Sequence, residues 1–139
     1  LVNGDCDDFP IFRIFAPSSV IIFSMKEGRV TESHAPVHTQ VLVAKAGERL
    51  LLGRMDDEWP GWIWCTAESG VSSWVPESFL VIEGQEARLV EDYDAAELTV
   101  QSGDLLLLQR EVNGWWWSTN AQGREGWVPA GKVAVTSKP

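Results

Sequence analysis

Few residues in this chain have both the type and the spacing for bond-making chemistry. Nucleophilic catalysis needs a Ser or Cys beside a base that a third group holds in place. Cys65 lies between Trp64 and Thr66 in a strand-like stretch and reads as a buried, inert thiol. His34 and His38 are four apart, a spacing that aligns two rings on a helix but not on a strand or loop. With Cys6 far up the chain, they make no convincing metal set. No glycine-rich phosphate loop occurs. No apolar cleft is evident that would raise one carboxyl of an acidic pair. We therefore expect no catalytic residues, no metal and no cofactor.

What remains is indole. NGWWWSTNAQGREGWVP (113–129) puts four tryptophans into seventeen positions. The stretch has a counterpart: GWIWCTAESGVSSWVP (61–76) overlays GWWWSTNAQGREGWVP (114–129) at an offset of 53. Upstream the offset becomes 56, where AGERLLLGR (46–54) covers SGDLLLLQR (102–110). Farther up it is 59, and RVTESHAP (29–36) covers RLVEDYDA (88–95). One unit of about 50 residues thus occurs twice, with length changes confined to two places, as loops allow. The first copy carries three extra residues where the offset falls from 56 to 53.

The elements that must position the indoles are short strands. LLLLQ and WWWST are rich in strand formers, Gly47-Glu48 and Gly103-Asp104 read as turns, and Asn120 to Gly123 suits a tight hairpin. No segment keeps a helical period. Five or so strands in each unit imply a small, bent barrel or sandwich, marginal alone and steadier as a pair. Strand alternation puts Trp115 and Trp117 on one side and Trp116 on the other, and likewise Trp62 and Trp64 opposite Ile63. Trp116 is expected in or beside a core. Trp64 and Trp117 are candidates for packing the units together.

Composition narrows the partners. Acids outnumber bases 20 to 11, a formal charge of −9, which disfavours nucleic acid and anionic membrane surfaces. Two cysteines make no disulfide framework, so a reducing, cytoplasmic setting is the default. The apolar run from Phe9 to Met25 is broken by Arg13 and Pro17, too short to span a bilayer, and led by acids where a secretory signal would carry bases.

The motifs resemble a known family. LVEDYDA (89–95), ELTVQSGD (97–104), GWWW (114–117) and GREGWVP (123–129) are similar, in order, to the signature segments of Src homology 3 (SH3) domains. The first unit matches through Gly47-Glu48, Trp62, Trp74-Val75-Pro76 and Phe79. The chain resembles bacterial proteins carrying two variant SH3 domains in tandem. The resemblance implies an all-β fold of two small SH3-like barrels in tandem. It sets an N-terminal extension at 1–24, a first domain at 25–82, a linker at 83–86 and a second domain at 87–136. Met25 offers one native start, with the stretch before it a tag or optional extension; the alternative is that this stretch adds a strand covering an exposed sheet edge.

It further implies an aromatic groove on each barrel for extended, proline-rich or basic segments. Carried over by position, the ligand-binding residues are His34, Trp62, Trp74, Pro76 and Phe79 in the first unit, and Tyr93, Trp115, Trp127 and Pro129 in the second. The acidic loop contacts are Asp56, Asp57, Glu58, Asp94 and Glu97. The departures are Glu91 and Glu32 at the earlier Tyr, His34 at the later one, and Lys132 and Phe79 at the Tyr after the Pro. The expectation is a non-catalytic module that binds a protein or peptide, with oligomeric state left open. The rivals are a structural or oligomerisation module with no external ligand, and a bacterial SH3-type binder of cell-wall peptides.

Overall fold

The computed structural model describes residues 25–38 and 40–136. Residues 1–24, read as an extension, and with them Cys6, lie outside the described residues. The described chain is all-β. Its strands are β1 (Lys26–Val30), β2 (Val43–Ala44), β3 (Arg49–Met55), β4 (Trp62–Thr66), β5 (Ser72–Pro76), β6 (Leu80–Glu83), β7 (Glu86–Leu89), β8 (Tyr93–Asp94), β9 (Leu105–Val112), β10 (Trp115–Thr119), β11 (Glu125–Pro129) and β12 (Val133–Val135). Two 3₁₀ turns, Glu77–Phe79 and Ala130–Lys132, follow the prolines that end β5 and β11. No helix among the described residues is long and apolar enough to cross a membrane.

Alternation builds the strands. In β9, Leu106 and Leu108 turn inward while Leu105 and Leu107 face out. The expected hairpin turn forms, with the Gly123 amide donating to the Asn120 carbonyl at 3.0 Å and Gly123 at φ 85°.

The strands make two open five-stranded antiparallel sheets, ordered β5-β4-β3-β7-β6 and β11-β10-β9-β1-β12, and a two-stranded antiparallel pair of β2 and β8. Neither follows the boundary between the sequence repeats. β1 belongs to the first repeat yet lies between β9 and β12 of the second, pairing Arg29 with Leu105 and with Ala134. β7 opens the second repeat yet lies between β3 and β6 of the first, pairing Arg88 with Arg49 and with Val81. The registers correspond residue for residue under the offsets of 59, 56 and 53. The exchange continues beyond the two large sheets, since Tyr93 of β8 pairs with Ala44 of β2 and His34 bridges to Val100. Residues 83–86, expected as a linker, are the turn of the β6–β7 hairpin, closed by the pair Glu83 and Glu86 with Gly84 at φ 71°. A linker that short holds its two strands side by side, so β7 stays with the sheet that β6 already occupies.

Each sheet covers its own hydrophobic cluster. Leu42, Leu50, Ile63, Cys65, Val75 and Phe79 pack with Leu89 and Tyr93 from the exchanged arm. Leu98, Val100, Leu106, Leu108 and Val128 pack with the exchanged Val30, and Trp116 leans on this cluster from its edge. Trp117 and Trp127 of the second repeat pack on the first cluster and so join the halves. Trp64 instead packs on Trp74, its own neighbour across β4 and β5.

A candidate binding cleft between the repeats

The exchange brings residues of both repeats to one cleft of about 580 Å³. Its aromatic lining is His34, His38, Trp59, Trp62, Trp74, Tyr93, Trp115 and Trp127, with Pro129 beside them. The deep rings are sealed: Trp62 is 5%, Tyr93 4% and Trp127 4% exposed. Trp115, Trp59 and Trp74 remain half-buried and form the accessible walls.

Each ring has a local cause. Trp62 opens β4, and its indole N–H donates to the Asn113 carbonyl across the repeats at 2.9 Å. Gly61 beside it has a φ of 88°, a conformation side chains rarely adopt, and a Cβ there would also press on the Asn113 side-chain nitrogen at 2.7 Å. The Tyr93 hydroxyl donates to the Trp74 carbonyl at 2.7 Å, and burial pushes the phenol pKa well up. Trp127 donates its indole N–H to the Asp94 carbonyl at 2.9 Å. Trp59 sits in the loop that is longer by three in the first repeat. Asp56 accepts the amides of Glu58 and Trp59 at 2.8 and 3.2 Å, which folds the loop so that Trp59 reaches Trp115, 5.3 Å between ring centroids.

Glu32, Asp56, Glu58 and Glu97 line the cleft against one cation, Lys132, so its field favours positive charge. Glu97 is engaged by His34 at 2.8 Å, and His34 in turn meets Trp115 edge-on at 5.5 Å. Lys132 donates to the Ser33 carbonyl at 3.1 Å. No group of His, Cys, Asp and Glu that could hold a metal occurs among the described residues. Burial pushes the Cys65 thiol up to about 11, so it carries no thiolate near neutrality.

Of the expected ligand-binding residues, Pro76 and Phe79 do not reach this cleft. Phe79 is 3% exposed and borders a second pocket of about 290 Å³, where Arg110 lies 4.7 Å over its ring. Glu91 grips Arg110 with both oxygens at 2.8 and 2.9 Å, which lowers the Glu91 pKa and raises that of Arg110. Pro76 is fully buried. Of the expected acidic contacts, Asp94 caps the Ala96 amide and borders the second pocket, and Asp57 is exposed away from both. The sequence reading missed Trp59, although an extra loop carrying an indole was its signal.

Two open sheets with an aromatic cleft and an acidic lining make an interaction module in build. Comparison with known families agrees: residues 87–136 match the family described as "Variant SH3 domain", a class of protein-interaction modules that are typically non-catalytic. The match covers just over a third of the chain and begins in β7, the strand given to the other sheet. No curated protein and no solved structure matches the chain.

Proposed function

We propose that the chain is a pair of SH3-like units with exchanged opening arms, and that it binds one extended, proline-containing or basic peptide segment without catalysis. The arms swapped are those that begin each repeat, so every half-site draws residues from both copies. The half-site of Tyr93, Trp62, Pro76 and Phe79 is packed shut. The half-site of His34, Trp115 and Pro129 opens into the cleft. The observation that carries the reading is this one open cleft, with indole walls and acids in excess of bases. Cations and flat apolar groups suit such a surface. A single site predicts micromolar or looser affinity, roughly −8 kcal/mol at best, with no gain from two linked grooves.

Isothermal titration with Arg-rich and polyproline peptides tests this, with the indole N–H resonances of Trp59 and Trp115 followed by NMR. Saturable binding near one peptide per chain that shifts both resonances supports it. Silence of both at millimolar peptide removes it and favours the structural rival, which the burial of Trp62 already suits.

A further inference from the structure

The two repeats form equivalent half-sites in different states, and the filled one reports on the empty one. In the filled half-site, Tyr93 and Trp62 stand 6.4 and 5.9 Å from the ring of Trp127, measured between centroids. That indole comes from the opposite sheet and is almost wholly buried. In the open half-site the equivalent residues are His34 and Trp115, and the equivalent of Trp127 is Trp74. Trp74 borders the cleft, but among the described residues its ring meets neither. It packs on Trp64 at 5.0 Å and carries the Arg54 guanidinium 5.0 Å over its own ring. Trp59, which has no counterpart in the second repeat, and Trp62 stand against Trp115 at 5.3 and 6.1 Å between centroids. The result is a half-site without the contact that Trp74 would make by equivalence, and it borders the cleft of about 580 Å³.

We infer that the peptide partner supplies the missing ring. A large aromatic side chain enters the cleft and takes the position against His34 and Trp115 that Trp127 holds against Tyr93 and Trp62. This rests on the peptide-binding reading and names the side chain that reading leaves open. An indole or phenol ring offers edge and face contacts to the ring walls that a proline ring lacks. A basic neighbour in the segment meets Glu32 and Glu58, cleft carboxylates with no protein partner among the described residues. Lys132, the one cation among the described lining residues, favours an acidic neighbour less strongly than the four acids favour a basic one.

The test is titration of the full chain with three five-residue peptides of sequence Ala-Arg-X-Arg-Ala, where X is Trp, Pro or Ala. The Trp peptide should bind at least ten-fold tighter than the other two, one per chain, and Trp115→Ala should erase that preference. Equal binding of all three with Trp115 shifted overturns the inference while the peptide-binding reading stands. No binding by any of them at millimolar concentration overturns both. Preference for Trp that survives Trp115→Ala places the ring elsewhere and also overturns the inference.

Discussion

Leu89→Ala separates an exchanged pair of repeats from an ordinary tandem. Leu89 lies within the segment that matches one SH3 domain, so an unexchanged fold would pack it against Leu106, Leu108 and Val128. The structure packs it, 2% exposed, with Leu50, Val75 and Phe79 of the other repeat. Truncating a buried Leu costs the transfer free energy of the lost carbons plus the cavity, together about 2–5 kcal/mol. That is a large fraction of the roughly 5–15 kcal/mol expected for a domain, so a urea transition would move clearly. The decisive assay is the NMR map of the folded variant. Signals of Leu50, Cys65, Val75 and Phe79 should move while those of Leu106, Leu108 and Val128 stay. Val30→Ala should do the reverse at about 2 kcal/mol, two methyls plus a smaller cavity. If Leu89→Ala disturbs Leu106 and Val128 and spares Val75, β7 pairs within its own repeat and the exchange is wrong.

Trp62→Ala should cost about 3–5 kcal/mol in chemical denaturation, and Trp59→Ala about 1 kcal/mol, because only the first ring is sealed. Gly28→Ala should cost about 1–3 kcal/mol, since its Cβ would sit 2.7 Å from methyls of Leu108 and Val133; a neutral result would mean β1 is not pressed between β9 and β12. The Cys65 thiol should resist an aromatic disulfide reagent in the folded Cys6→Ser protein and react fully in urea. The depressed Glu91 pKa contributes stability above the ordinary Glu value of about 4.3 that is lost as pH falls through the lower folded one. Both partners are well exposed, so the effect is about 1 kcal/mol or less, and Arg110→Ala should flatten that acid limb of the stability curve.

The repeat, the turns and the strands were legible because each leaves a local mark. Gly103-Asp104 and Asn120 to Gly123 need particular backbone angles, and β9 alternates Leu in and Leu out. The exchange was not legible, because β1 and β7 stand at equivalent positions and either can complete either sheet with the same register. What decides between them is chain length. The two-residue turn at Gly84-Gln85 ties β7 to β6, and a turn that short could have been read as a hairpin rather than a linker. The site residues were half legible for the same reason. His34 and Trp115 were named as members of different grooves, and only pairing across the repeats brings them 5.5 Å apart. Trp62 was expected on the surface, but strand alternation cannot tell a face turned to water from one turned to another sheet.

Exchange also changes what divergence between the copies means. The first repeat has His34 where the second has Tyr93, which reads as a weakened first groove. With the arms swapped, that substitution falls in the half-site whose strands come from the second repeat, beside Trp115 and Pro129. The intact Tyr93 goes to the half-site that Trp127 and Arg110 close. The motif closest to the family pattern thus serves packing, and the degraded one lines the open cleft. The extra loop has the same logic. Three added residues in the first repeat act on the second, setting Trp59 against Trp115. Neither repeat holds a complete half-site, so the proposed binding in the cleft would be linked to pairing of the halves. A ligand at a hundred times its dissociation constant would add about 2.7 kcal/mol to the stability of the whole chain.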